Sequence, residues 1–176
     1  MTLRKVNAGI GLLATFMLMM HAIFLAVWML SKGSVSIGSD VLSWIMTGVT
    51  GLHALVSIFI MASSHDGTES HKGKQYPKLN VPTIVQRISG VLLVLFTALH
   101  ITGAAGITDT PPLVHAIVPP IFFTLVMAHI AVSVSKAFIT LGIGNARFIR
   151  TADIVVKAIC GITLIADITG FYLFVC

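Results

Sequence analysis

Long apolar stretches alternate with short polar segments along the chain, and five of these stretches are long enough to cross a bilayer. About 20 helical residues span a hydrocarbon core roughly 30 Å thick. Pro119 and Pro120 lie inside the fourth stretch and are expected to kink it. The pattern predicts an all-α membrane protein with five transmembrane helices, which cover about residues 5–30, 39–63, 83–105, 112–142 and 151–175.

The composition is that of a membrane protein, because 56% of the residues are hydrophobic and only 10% are charged. The five stretches and their connections account for all 176 residues, so we expect a single transmembrane domain, 1–176, without a soluble catalytic domain. Arg4 and Lys5 precede the first stretch as in a signal peptide. That stretch is too long and lacks a small-residue cleavage site, so a retained helix is expected. Cys160 and Cys176 point apart on the fifth helix, which favours packing thiols over a disulfide.

Basic residues concentrate on one side of the predicted membrane. Arg4, Lys5 and the connections at residues 64–82 and 143–150 place positive charge on that side, and only Lys32 lies on the other. The positive-inside rule puts the N-terminus in the cytoplasm and the C-terminus outside. The net charge of +5 favours lipid headgroups or a cytoplasmic protein as partner over nucleic acid, since no soluble groove is expected. The two basic connections are the expected docking surfaces.

Four of the seven histidines lie in the interior of predicted helices, one in each of the first four, whereas His115 is near the start of the fourth. An ionisable ring is costly in hydrocarbon, so each is a candidate functional residue, although a single ring can simply be hydrogen-bonded to a neighbouring helix. Neutral imidazole is an axial ligand of haem iron, and a haem gripped between two helices takes one histidine from each. His65 and His71 are expected to be solvated in the polar connection, and His115 lies near the outer interface. The four helical histidines are His21, His53, His100 and His129.

The depths of these four histidines sort them into two pairs. At about 1.5 Å per residue, His21 and His100 lie roughly 20 to 25 Å above the inner ends of their helices. His53 and His129 lie roughly 10 to 18 Å above theirs by the same rise. We therefore expect an outer haem between His21 and His100 and an inner haem between His53 and His129. Each pair would join diagonal corners of a haem-binding bundle made by the first four helices.

Other catalytic or metal-binding patterns fit the sequence less well. Zinc would need ligands that converge on one point, whereas these histidines lie at two depths. The outer carboxylates Asp40, Asp109 and Asp167 are isolated from one another in sequence, and no Ser-His-Asp or HExxH spacing occurs. We therefore expect no catalytic residues in the strict sense.

The ordered set of histidines resembles the single-polypeptide, five-helix, di-haem cytochrome b subunits of succinate dehydrogenases and fumarate reductases. The resemblance covers essentially the whole chain. It rests on one histidine in each of the first four helices and none in the fifth, on QRISGVLLVLFTALH with Arg87 opening the helix that ends in His100, and on MAHIAVSVSKAFITLG around His129. In that family the first and third histidines hold the outer haem and the second and fourth the inner one, which agrees with the depths.

The resemblance implies a multi-pass anchor in a bacterial or archaeal cytoplasmic membrane, with a FAD-containing flavoprotein and an iron–sulfur subunit docked on the cytoplasmic face. Electrons would pass between succinate or fumarate, as in the tricarboxylic acid cycle, and a quinone, for which menaquinone is expected. The chain has no flavin motif and no cysteine cluster, so it would supply two haem b sites, quinone binding and anchoring, and would act in an enzyme only as a subunit. Some members carry a glutamate of a proton path two residues before the fourth ligand, where this chain has Met127.

Quinone reduction consumes two protons, so a polar group is expected beside the quinone. Asp40 and Asp167 are the leading candidates near the outer haem, followed by Asp109. Each has an alternative: Asp40 could cap the second helix, Asp167 could bond to a neighbouring helix, and Asp109 could be a solvated loop residue. With Met127 in place and no carboxylate expected in the inner half of the spans, we expect no path for protons to follow the electrons. Arg87 is a candidate partner for the propionates of the inner haem, or else a headgroup anchor.

Two other functions remain open from the sequence. One is a di-haem cytochrome b that serves another membrane dehydrogenase or hydrogenase. The other belongs to a different class: a small non-haem transporter or membrane scaffold whose histidines line a polar path.

Overall fold

The computed structural model describes residues 3–34, 40–63, 81–104 and 112–175, and the regular secondary structure in these ranges is helical throughout. All five helices are long and apolar enough to cross a membrane. The prediction of an all-α, multi-pass membrane protein is therefore confirmed. The helices are α1 (Leu3–Leu30), α2 (Asp40–Ser63), α3 (Val81–Ala104), α4 (Pro112–Leu141) and α5 (Ala146–Val175).

The connection between α4 and α5 is shorter than the sequence suggested. Gly142, with a φ of 74°, ends α4 in the left-handed region that glycine adopts without strain. Asn145 then caps α5, because its Oδ1 accepts a hydrogen bond of 2.9 Å from the backbone N–H of Phe148. The predicted start of the fifth helix at residue 151 is therefore five residues too late, and most of the expected 143–150 docking connection is the first turn of α5. The other predicted helix ends agree within two residues, and α4 continues through both of its prolines.

The core of the protein lies between α1, α4 and α5. Each of these three helices packs against the other two, and small side chains such as Ala22 and Ala26 on α1 let the helices approach closely. Cys160 is a free, buried thiol of this core, as expected for a packing residue. The two clusters of buried side chains are Ala22, Val126, Met127, Ile130, Val134 and Cys160, and Met29, Phe123 and Phe171.

α2 and α3 flank this core on either side. α2 packs against α1, and α3 packs against α4, whereas α2 and α3 lack a comparable contact with each other in the described part of the chain. α2 contributes none of the buried residues found there. The first four helices therefore surround a space that is open between α2 and α3, and α5 closes the opposite side, against α1 and α4.

One carboxylate contradicts the expectation that the inner half of the spans contains none. Asp153 lies in α5 and also within the predicted span 151–175, so the expectation overlooked it. Its carboxylate forms an ion pair with Lys157 and accepts a hydrogen bond of 2.8 Å from the hydroxyl of Ser135 on α4. Asp153 is thus held between α4 and α5 by two partners.

Candidate functional site

The outer pair of histidines lines one cavity among the helices. His21 on α1 is half-buried and His100 on α3 is exposed, and both border this cavity. The ring of His100 stacks on Phe122 of α4, with 5.3 Å between the ring centroids and 28° between the planes. The two imidazoles are also close enough to interact electrostatically. The structure thus brings together the two residues that depth along the helices paired.

The lining of this cavity, rather than its volume, suits a mostly apolar cofactor. The space measures about 100 Å³ and is open on one side, whereas small-molecule and cofactor sites typically measure roughly 300–1,000 Å³. The residues around the two histidines come from all five helices. They are Leu18, Ala22, Leu25, Met46, Thr47, Thr50, Leu93, Thr97, Ile101, Phe122, Phe123, Val126, Met127 and Asp167.

Asp167 contributes the only carboxylate that lines the cavity. Its side chain is 0% exposed, and both carboxylate oxygens lack a hydrogen-bond partner in the described part of the chain. Across the cavity on α2, the hydroxyl oxygen of Thr50 is also buried without a partner. The sequence singled out Asp167 as costly inside a span. The structure adds that it faces the same cavity as both outer histidines.

The inner pair, His53 on α2 and His129 on α4, is also close enough for the two rings to interact electrostatically. The hydroxyl of Ser89 on α3 donates a hydrogen bond of 2.6 Å to the carbonyl of Val85 and lies 3.0 Å from Nδ1 of His129. A hydroxyl carries one proton, so when Ser89 donates to Val85 its oxygen can only accept, and it then bonds to the Nδ1–H tautomer of His129. Nε2 of His129 is then left with a free lone pair, the state that a metal ligand requires.

Each inner histidine packs against a glycine on the neighbouring helix. A Cβ on Gly11 of α1 would lie 2.7 Å from Cε1 of His53, and a Cβ on Gly90 of α3 would lie 3.2 Å from Cε1 of His129. Sequence reasoning missed these glycines and Ser89. A glycine inside a helix does signal a close approach, but the sequence alone does not say to what.

The inner site differs from the outer one because its histidines contact helices instead of lining a described cavity. Nδ1 of His53 is buried without a hydrogen-bond partner. The donor set, two neutral imidazoles on α2 and α4, fits axial ligation of haem iron. Since α2 contributes no buried residue in the described ranges, a group entering between α2 and α4 would displace little packed core.

Polar residues surround the inner end of α3. Arg87, the propionate candidate, is exposed there. Beside it in sequence, the side-chain oxygen of Gln86 accepts a hydrogen bond of 2.8 Å from Nζ of Lys136 on α4. Lys136 is therefore a second cation at this end of the bundle, alongside Arg87.

Several candidates from the sequence cannot be placed in the same detail. Asp40 begins α2, and His115 lies in α4, but their side chains are outside the described set. Asp109 and the 64–82 connection, apart from the first residues of α3, lie outside the described residues. Among the described residues, no three His, Cys, Asp or Glu side chains form a group that could hold a metal ion. Haem iron takes at most two axial ligands from the protein, so pairs of histidines are the arrangement that matters here.

Comparison of the chain with protein-family models, with curated proteins and with solved structures found no match.

Proposed function

We propose that this chain is the di-haem b membrane anchor of a succinate:quinone oxidoreductase, which exchanges electrons between a cytoplasmic flavoprotein and iron–sulfur pair and a quinone, with menaquinone as the first candidate. The observation that carries the proposal is the pair His21 and His100, which come from two helices and face one mostly apolar cavity. The succinate-linked identity of the partners rests on the family resemblance alone.

The residues divide the work of holding two haem groups. His21 and His100 would bind the outer haem iron, and His53 and His129 the inner one. When bound, the haems supply one-electron redox chemistry between Fe(III) and Fe(II). In the Nδ1–H tautomer of His129, the hydrogen bond to Ser89 would leave Nε2 free to bind the iron.

The remaining polar residues would act at the two ends of the bundle. Arg87 and Lys136, at the inner end of α3 and α4, supply the positive charge that pairs with propionates. The quinone is proposed to bind near the outer haem, with Asp40 and Asp167 as leading contacts and Asp109 as a further candidate. Because Asp167 is fully buried, a quinone could contact it only from within the cavity.

Purification of the native complex in mild detergent tests this function. We expect a red protein with two haem b groups per chain, sharp reduced b-type absorption bands, and co-purifying subunits that carry covalent FAD and iron–sulfur clusters and oxidise succinate. Haem with a different set of soluble subunits would instead indicate the anchor of another dehydrogenase or hydrogenase. A colourless protein without haem would overturn the proposal and favour a transporter or scaffold.

The glycine beside His53 gives a sharper test of the inner site. In Gly11→Ala, the new methyl group would meet the imidazole at 2.7 Å, so the ring must move, and we expect the haem content to fall from two per chain toward one. Gly9→Ala is the matched control, because a Cβ at Gly9 would meet nothing within 4 Å. Both variants place alanine in the same helix, and haem is counted by the pyridine haemochrome assay. Equal haem content in the two variants would contradict the proposed position of His53.

A further inference from the structure

Asp167 is the most unusual polar residue in the described structure. It lies in the core helix α5, its side chain is 0% exposed, and both of its carboxylate oxygens are buried without a hydrogen-bond partner. A buried carboxylate that lacks both a hydrogen bond and an opposite charge is strongly destabilising. Such a group is therefore expected to have a partner that the polypeptide does not itself provide.

The groups that face Asp167 across the cavity show what this partner must be. α1 contributes the imidazole of His21, and α3 contributes the imidazole of His100 and the hydroxyl of Thr97. α2 contributes the hydroxyls of Thr47 and Thr50. α4 contributes only apolar side chains. No lysine or arginine lines the cavity, so a positive charge that pairs with an ionised Asp167 would come from whatever occupies the space between the two histidines.

We propose that Asp167 is the counter-ion of the group that His21 and His100 hold. This inference rests on the proposed function. An iron porphyrin with two neutral imidazoles carries one net positive charge at its centre when the iron is Fe(III), and none when it is Fe(II). A carboxylate in the same low-dielectric cavity therefore stabilises the oxidised form more than the reduced form. Asp167 thus lowers the midpoint potential of the outer haem relative to a chain without this charge.

The counter-ion role also separates Asp167 from the other outer carboxylates. Asp167 belongs to the cofactor and lies in the interior, whereas Asp40 begins α2 at the end of a span. If Asp167 pairs with the held group, Asp40 becomes the leading contact for a quinone that enters from the membrane, and Asp167 is no longer one of the two leading quinone contacts.

Anaerobic redox titration of the purified complex, followed in the haem absorption bands, tests the counter-ion. The wave of the outer haem is identified as the one that disappears in His21→Ala. In Asp167→Asn we expect this wave to move to higher potential while the inner wave stays in place, and Asp167→Glu should keep the low potential. Asp153→Asn is the matched control, because it removes a carboxylate of the same helix that is already paired with Lys157. It should move neither wave.

The outcomes separate this inference from the proposed function. Wild-type protein without haem would overturn the function, whereas two haems with an unchanged outer wave in Asp167→Asn would overturn the counter-ion alone. If Asp167→Asn loses the outer haem, the double variant Thr50→Asp/Asp167→Asn moves the carboxylate across the cavity. Recovery of the haem at low potential in this double variant or in Asp167→Glu supports the proposal, and failure of both to recover it rejects the proposal.

Discussion

Replacing one histidine of either pair is expected to remove one of two haems and leave the other. His21→Ala or His100→Ala should remove the outer haem, and His53→Ala or His129→Ala the inner one. Each haem iron would lose one of its two axial ligands. Among the described residues, no third His, Cys, Asp or Glu side chain joins either pair to replace it. Haem content per chain should fall from two to about one, measured by pyridine haemochrome and by the number of waves in a redox titration.

The four variants should fall into two classes of identical spectra, since either ligand of a pair removes the same haem. His115→Ala is a suitable control, because His115 lies in α4 but belongs to neither pair. Two haems with intact bis-histidine spectra after any single replacement in the pairs would show that the ligands are assigned wrongly.

Turnover with quinone is expected to be electrogenic. Electrons from the cytoplasmic side would cross most of the bilayer to a quinone near the outer haem, and each charge moved is worth roughly 2.3 kcal/mol per 100 mV of membrane potential. Asp153, the carboxylate of the inner half of α5, is held by Lys157 and Ser135. Met127 is 2% exposed and apolar. It occupies the position at which some members of the di-haem family that the sequence resembles carry a glutamate. Among the described residues, the inner half of the spans therefore offers no unpaired carboxylate that could carry protons and cancel the charge moved by the electrons.

Uniformly oriented complexes in sealed proteoliposomes provide the measurement. Quinone-linked activity should generate a membrane potential, or its rate should depend on an imposed one. Met127→Glu should weaken this dependence by adding a proton-binding group, and Met127→Gln, a polar side chain of similar size, should not. A wild-type rate that ignores both potential and uncoupler would refute the outer quinone site together with the missing proton path.

The number and extent of the helices could be predicted because spanning a bilayer requires a long apolar run, and such runs are visible in the sequence. The start of α5 was missed for a local reason. Residues 146–150 include Arg147 and Arg150, whose charges suggest a basic connection. The cap at Asn145 nevertheless starts the helix before both arginines. Charge alone does not end a helix at the membrane surface, where long basic side chains reach the headgroups.

The pairing of the histidines could be proposed from depth, but their surroundings could not. Depth depends only on residue number along a helix. Which residue faces which neighbour depends on rotation about the helix axis, and a helix that is apolar on all sides shows no polar face to reveal it. For this reason only the structure reveals three features of the site. They are the contact of Gly11 with His53, the hydrogen bond between His129 and Ser89, and the position of Asp167 in the cavity.

The loose attachment of α2 has a consequence for biogenesis. In the described chain α2 packs mainly against α1 and contributes no buried side chain, so little free energy holds it in place once it has inserted. A haem ligated by His53 and His129 would tie α2 to α4, which makes the cofactor a structural crosslink as well as a redox group. Chains made under haem limitation should then insert all five helices, yet leave α2 free to separate laterally in the membrane. Such chains should be cleared by membrane proteases before they can accumulate.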